Sequence, residues 1–171
     1  MGLWAKVFRL SCGGIIAYLC DVLYPTQMIS QLKALIDDKI LFEKELPNQS
    51  KINIIQQYIQ FAFANIPIKI SNTTIIIAFA QDHSFNFYEL TYKDNNLTCE
   101  EKQLLADAPL VYGSGAESFK EQLDLLKKSE RYSRYIFQAF YCTIKKAQDR
   151  FSGGNIQMVG LYHNGKSQVF R

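Results

Sequence analysis

The sequence predicts an α+β fold in which antiparallel strands and paired helices form layers. Two patterns lead to this class: runs rich in β-branched and aromatic residues, and stretches whose apolar residues recur at i, i+3 and i+4. The resulting order is ββααβββααββ, so strands are grouped rather than separated one by one by helices, and parallel βαβ units are not expected. The chain has 171 residues, of which 48% are hydrophobic and 13% aromatic. It can therefore form a single domain, residues 1–171, with a substantial core.

The strands are predicted from β-rich runs that are bounded by turn residues. The seven strands of this order cover residues 5–11, 13–21, 73–81, 84–92, a short stretch near Leu97, 155–163 and 166–171, and residues 109–115 are predicted as a further short strand. The run TTIIIAFAQ at 73–81 is continuously apolar, so we expect this strand to be buried on both faces. The turns are marked by Cys12-Gly13-Gly14, Asp82-His83, Asp94-Asn95-Asn96 and Asn164-Gly165. Such short turns join consecutive strands into antiparallel hairpins.

The helices are predicted from apolar spacing and from their start and stop signals. Pro25 opens the first helix with Thr26 as its N-cap, and the helical spacing continues to Ile40. Ser50 is expected to cap the second helix, which ends before Pro67. Two further amphipathic stretches cover 117–128 and 131–150.

Charge and cysteine usage exclude several classes of function. The net charge is +3 with no basic run longer than two residues, so neither nucleic-acid nor membrane-surface binding is expected. The four cysteines form no C-x-x-C pair, which argues against zinc, and reduced cysteines fit a cytoplasmic protein. No cofactor motif is present. Cys12, beside two glycines, could be a reactive thiol, although no basic residue is fixed next to it in sequence.

Four polar residues in the chain each have an ordinary structural interpretation. Lys6 on an alternating strand is typical of a solvated face, and Ser114 between two glycines is typical of a turn. Asp149 near a helix C-terminus opposes the helix dipole, so it should have a compensating partner. Ser152, followed by two glycines, is enough to end the preceding helix. The residues alone leave the structural and catalytic interpretations open.

Three segments together resemble proteasome β-type subunits, which belong to the N-terminal nucleophile hydrolase superfamily. They are KVFRL at 6–10 followed by a strand carrying IIAYL, VYGSGAESF at 111–119, and QDRFSGGNIQMVGLY at 148–162. The resemblance covers almost the whole chain because the helix pairs fall where the family has them. It implies a four-layer αββα sandwich, assembly into rings and peptides or proteins as the substrate class.

The resemblance also assigns roles to five residues. Lys6 matches the lysine that lowers the proton affinity of the nucleophile. Asp149 and Ser152 match the pair that orients the N-terminal amine, which acts as general base, and Ser114 matches a serine of the same polar network. Tyr18 stands where the family has a glycine whose backbone N–H stabilises the oxyanion.

The chain departs from this family at two points. The nucleophile should be the first residue of the mature chain, well before the conserved lysine, but only residues 1–5 precede Lys6 and none of them is Thr, Ser or Cys. The opening hairpin of the family is missing too, which leaves a sheet edge through which we expect association. The phenol of Tyr18 should crowd or redirect the cleft.

Three hypotheses therefore remain open. The leading one is a proteasome-like structural or partner-binding subunit without peptidase activity of its own, forming a homo- or hetero-oligomer. The second is a truncated form of a threonine-type N-terminal nucleophile peptidase, which an upstream segment would complete. The third is an unrelated α+β interaction module that shares the motifs by chance.

Overall fold

The computed structural model describes residues 6–19, 23–66, 72–81, 84–103, 109–112, 115–126, 132–145, 158–162, 164 and 166–170. The helices are α1 (Leu23–Asp37), α2 (Asn48–Ala64), α3 (Ala116–Leu126) and α4 (Tyr132–Lys145). The strands are β1 (Val7–Leu10), β2 (Gly14–Leu19), β3 (Thr73–Gln81), β4 (Ser84–Lys93), β5 (Asn96–Lys102), β6 (Met158–Leu161) and β7 (Ser167–Phe170). The predicted α+β class and element order are confirmed. Contacts divide the chain into two compact units: the first holds α1, α2 and these strands, and the second holds α3 and α4.

The first unit is built on a five-stranded antiparallel sheet with the strand order β1-β2-β3-β4-β5. The continuously apolar β3 lies at its centre. Between β4 and β5, Asp94 and Asn95 have φ angles of 50° and 63°, the left-handed pair of a two-residue hairpin turn. In contrast, β2 and β3 are separated in sequence by residues 20–72, which contain α1 and α2, but they are neighbours in the sheet. Leu19 lies opposite Thr74. The predicted terminal hairpin forms a separate two-stranded sheet, β6–β7, next to β1 and β2.

The main core lies between one face of this sheet and the helices α1 and α2. The register places alternate residues on that face, as with Ile16 opposite Ile77, and Tyr18 opposite Ile75. The two helices contribute Met28, Ile29, Leu32, Ile36, Ile52, Ile55, Ile59 and Phe63. Each fully buried side chain of this kind stabilises the fold by about 1.5–3 kcal/mol, so this layer holds both helices on the sheet.

The opposite face of the sheet carries a mostly half-buried apolar area on its three central strands, whereas Arg9 on β1 and Glu100 and Lys102 on β5 make its edges charged. It carries Ile15 and Ala17 on β2, Ile76 on β3, and Phe85 and Phe87 on β4. The prediction that β3 is buried on both faces therefore holds in full for the core face and in part for this one. Apolar residues on both faces of the central strands are typical of a fold with layers on both sides.

The predicted start of the first helix is wrong. α1 begins at Leu23, so Pro25 and Thr26 lie in its first turn, where the missing N–H of proline costs no helical hydrogen bond. Thr26 is buried, and its hydroxyl is hydrogen-bonded to the hydroxyl of Tyr18. Its side chain thus joins α1 to β2 instead of capping the helix.

The predicted end of this helix is also wrong, because α1 stops at Asp37 and leaves Ile40 outside. Lys39 has a φ of 57°, and its N–H donates to the carbonyl of Ile36 at 3.1 Å. The N–H of Ile40 donates to the carbonyl of Leu35 at 2.9 Å. These two bonds define a Schellman motif, which usually has glycine at the left-handed position.

The second helix begins two residues before the predicted cap. Pro47 is the N-cap of α2, and its carbonyl accepts from the N–H groups of Ser50 and Lys51, each at 3.0 Å. Ser50 therefore lies inside the first turn and does not cap the helix. The apolar face predicted for this helix is confirmed by the buried Ile52, Ile55 and Ile59.

In the second unit, α3 and α4 pack against each other. Their buried hydrophobic residues are Phe119, Leu123, Tyr135 and Ala139. The strand predicted at 109–115 is absent from residues 109–112, which the structure shows without regular secondary structure, and residues 113 and 114 lie outside the described residues.

Candidate functional site

Two of the five predicted site positions can be located, and they face each other across β1 and β2. The backbone N–H of Tyr18 donates to the carbonyl of Lys6 at 3.2 Å. The N–H that would match the oxyanion donor is therefore part of the sheet ladder in this conformation. The side chain of Lys6 is exposed.

The phenol of Tyr18 lies in the main core and only 1% of the residue is exposed. Its ring stacks on that of Phe8 with 6.5 Å between centroids, and its hydroxyl is hydrogen-bonded to that of Thr26. A buried phenol needs such a partner, since an unpaired hydroxyl would cost about 1–3 kcal/mol. Tyr18 thus fastens α1 to the sheet on the side where the helices pack.

The other three predicted site residues, Ser114, Asp149 and Ser152, lie outside the described residues. Their roles stay predictions that rest on the resemblance.

A polar cluster that the sequence did not predict surrounds Lys51 in the first turn of α2. Lys51 is only 4% exposed, and its ammonium lies 5.6 Å from the ring centroid of Phe79 on β3. Burial lowers the pKa of Lys51, and the nearby Cys12 and Glu45 partly offset this effect. A cation in the first turn also opposes the helix dipole, so this charge needs compensation from its surroundings.

A chain of side-chain hydrogen bonds supplies part of this compensation. The Lys51 ammonium donates to Asn48 Oδ1 at 3.5 Å, and Asn48 Nδ2 donates to Asn86 Oδ1 at 2.9 Å. Asn86 Nδ2 then donates to the Glu101 carboxylate at 2.9 Å. All three bonds run in the same direction from cation to anion, so each polarises the next. The chain joins α2 to β4 and β5.

Cys12, in the turn between β1 and β2, is buried close to this cluster. Burial raises the pKa of the Cys12 thiol to about 11, even though the nearby Lys51 acts to lower it. The thiol is therefore protonated at neutral pH, and the protonated form is a poor nucleophile. The structure favours a packing role for Cys12 over the reactive thiol considered from the sequence.

The same turn depends on a glycine without room for a side chain. A Cβ on Gly14 would lie 2.6 Å from Cδ1 of Phe79 and 2.9 Å from the carbonyl oxygen of Ala78. Gly14 thus lets the Phe79 ring approach β2, and the same ring carries the Lys51 ammonium.

The end of α1 is tied to this turn by Asp37. Its carboxylate accepts from the backbone N–H of Ser11 at 2.8 Å and pairs with the Lys33 ammonium. Burial acts to raise the pKa of Asp37, but the hydrogen bonds from Lys33 and Ser11 outweigh it and the pKa is lowered. A carboxylate at a helix C-terminus is unfavourable on its own, and these partners compensate for it.

Two features are absent from the described part of the chain. It contains no group of three or more His, Cys, Asp or Glu side chains placed to hold a metal ion. None of its helices combines the length and the apolar character needed to cross a bilayer.

Comparison with known proteins adds no identification. No protein-family model, curated protein or solved structure matches this chain.

The sequence contained a signal for the Lys51 cluster that we did not use. Lys51 precedes Ile55 by four residues and Ile59 by eight, so it lies on the inward face of α2. A lysine at a core position of a helical pattern is rare unless it is paired. Its partner Asn86 could not be found in this way, since it depends on how α2 lies over β4.

Proposed function

We propose that this chain is a proteasome-subunit-like protein with the N-terminal nucleophile hydrolase fold, and that it acts in the cytoplasm as a structural or partner-binding subunit. In this proposal it has no peptidase activity of its own. The three sequence segments that resemble the family support it, as does the observed element order.

The sheet supports the proposed αββα sandwich. α1 and α2 cover one face, and the other face carries half-buried apolar residues such as Ile76 and Phe87. A second sheet would cover that face in the sandwich, and the β6–β7 hairpin next to β1 and β2 would contribute to it.

The hydrogen bond from the Tyr18 N–H to the Lys6 carbonyl carries the proposal of an inactive subunit. An oxyanion donor must point its N–H at the substrate, whereas this N–H already has a partner within the sheet. The Tyr18 side chain is fixed in the core, so turning this N–H outward would break a buried contact with Thr26.

A covalent probe tests this proposal. The purified chain is incubated with a peptide epoxyketone and with fluorogenic peptides, beside an active threonine peptidase as positive control. We expect no mass adduct and no turnover, and no difference between the wild type and Lys6→Ala. An adduct or turnover in the wild type that Lys6→Ala abolishes would overturn the proposal and favour a complete hydrolase site.

The edge of β1 is the proposed contact for a neighbouring subunit. β1 is an outer strand of the five-stranded sheet. Because Lys6 and Tyr18 form a hydrogen-bonded pair, the alternation of an antiparallel ladder directs the N–H groups of Val7 and Arg9 away from β2. We expect Arg9→Pro to lower the mass of the assembly in native mass spectrometry, with Arg9→Ala as control. Equal masses for the wild type and Arg9→Pro would exclude this edge as the contact.

A further inference from the structure

The outward side of α1 and α2 differs from that of an ordinary solvated helix pair. Its exposed side chains are Gln27, Ser30, Gln31 and Ala34 on α1, and Gln49, Asn53, Gln57, Phe61 and Ala64 on α2. None of these exposed side chains, as the structure describes them, carries a charge. Lys51 is buried, and the half-buried Lys33 and Asp37 pair with each other. Helices that stay in water normally carry charged residues on this side.

A groove of about 550 Å³ on this surface is lined by α2 alone. Its lining residues, which we call the α2 stripe, are Asn53, Gln56, Gln57, Gln60, Phe61 and Ala64. Phe61, in the last turn of α2, is 70% exposed, a large fraction for an aromatic side chain.

The separations between successive residues of the α2 stripe form the same series from the N-terminus and from the C-terminus. Successive members are separated by three, one, three, one and three positions. When two such helices lie antiparallel, Gln57 of one faces Gln60 of the other, and Phe61 faces Gln56. A two-fold axis that passes between residues 58 and 59 would therefore pack the α2 stripe of one copy against the α2 stripe of the other.

We propose that two copies of the chain associate through the α2 stripe with two-fold symmetry. A two-fold interface must be complementary to itself, and an amide meets this condition because it is both donor and acceptor. With a net charge of +3, two copies can approach most easily where no charge is exposed. A different partner is usually selected by opposite charge, which this surface does not offer. The exposed Phe61 supplies the aromatic anchor.

The area of this surface is consistent with a specific dimer of moderate affinity. α2 has 17 residues and is therefore about 25 Å long, and two adjacent helices are roughly 20 Å wide. Such a face measures about 500 Å², so two copies that pair through it bury about 1,000 Å² in total, which is the threshold for a specific interface. We expect a dimer that dissociates in the micromolar range. The inference does not depend on the proposed function, since a chain of any activity could pair in this way.

Charge substitutions within the α2 stripe test the arrangement. Gln57→Glu with Gln60→Glu places like charges opposite each other, whereas Gln57→Glu with Gln60→Lys places opposite charges there. Gln, Glu and Lys have similar helix propensities, so the folded monomer should be preserved. Gln138→Glu, an exposed glutamine on α4, is the matched control. The dissociation constant is measured by sedimentation at low salt.

We expect the Glu–Glu variant to dissociate at least tenfold more readily than the wild type, and the Glu–Lys variant and Gln138→Glu to stay associated. If the wild type forms a larger assembly, the Glu–Glu variant should reduce its mass by half. A wild type that stays monomeric at about 1 mM overturns the inference, as does a Glu–Glu variant that associates as strongly as the wild type. Equal loss of association in the Glu–Glu and Glu–Lys variants would overturn the antiparallel pairing.

Discussion

The two helix pairs of this chain distribute charge and apolar residues in opposite ways. α1 and α2 expose amides and small residues, and their one buried cation, Lys51, lies against the ring of Phe79. The exposed residues of α3 include Glu117, Lys120, Glu121 and Asp124. A charged outer face is suited to remain in water, whereas an uncharged one loses little when it is covered.

The pairs also differ in the cores that hold them. α1 and α2 share a large cluster with the five-stranded sheet, whereas four buried residues form the cluster between α3 and α4 among the described residues. α4 leaves Phe137, Phe140 and Tyr141 exposed. Helical spacing alone predicted both pairs equally well, so it gives no measure of how firmly a helix is held.

The largest expected effect comes from one substitution made in both cores. Leu32→Ala, at a position with 0% exposure, should lower the free energy of unfolding by about 3–5 kcal/mol because the sheet and α2 cannot fill the cavity. Leu123→Ala should cost about 2–3 kcal/mol, since the smaller cluster can close around the space. Urea denaturation measures both, and equal losses would remove the contrast between the two cores.

A second prediction concerns the contact between Gly14 and Phe79. Gly14→Ala should cost about 2–3 kcal/mol, because the new methyl group would overlap the Phe79 ring and the Ala78 carbonyl. Phe79→Leu should relieve part of this strain, so the double variant should lose less than the two single losses added together. Additive losses in this double-mutant cycle would show that the ring is not what Gly14 accommodates.

A third prediction uses the buried thiol. The pKa of Cys12 rises from 9.0 to about 11 on folding, so its contribution to stability is full below pH 9 and is lost as the pH rises towards 11. Between pH 8 and pH 10.5 the wild type should therefore lose about 2 kcal/mol more than Cys12→Ala. The nearby Lys51, whose pKa is lowered, acts in the opposite direction and is present in both proteins. Parallel pH profiles would contradict the burial of this thiol.

The smallest expected effect concerns the hydrogen-bond chain. Asn48→Ala removes a link between Lys51 and Asn86 and should cost about 1–2 kcal/mol, since the buried ammonium keeps its charge but loses an acceptor. Adding Lys51→Met should recover part of the loss, because an apolar side chain needs no acceptor. Gln138→Ala, at an exposed amide, serves as control. No recovery in the double variant would show that Asn48 acts independently of Lys51.

Local sequence patterns predicted which helices and strands form better than they predicted the first and last residues of each. The order of strands and helices follows from periodicity and turn residues, and the Asp94-Asn95 turn was predicted from its residues. The start of α1 was missed because Thr26 bonds to Tyr18, a partner on another element. Its end was missed because Lys39 takes the left-handed conformation that usually marks a glycine. The start of α1 therefore depends on a side-chain contact between two elements, and the spacing of residues in the sequence does not reveal such contacts.

The sequence predicted less of the candidate site than of the fold. Tyr18 lies on a strand as predicted, whereas Lys6 precedes the first residue of β1, and the alternating pattern did not show that the Tyr18 N–H would donate to the Lys6 carbonyl. The Lys51 cluster assembles residues from α2, β3, β4 and β5, which only the packed structure brings together.

The pairing of β2 with β3 has a consequence for the order in which the chain folds. β3, β4 and β5 are joined by short turns, so their pairing closes small loops and can form early. Leu19 can meet Thr74 only after the intervening segment with both helices has been drawn together, which costs more chain entropy. We therefore expect the meander to appear first during refolding, and the rate-limiting step to be the docking of the N-terminal hairpin against it.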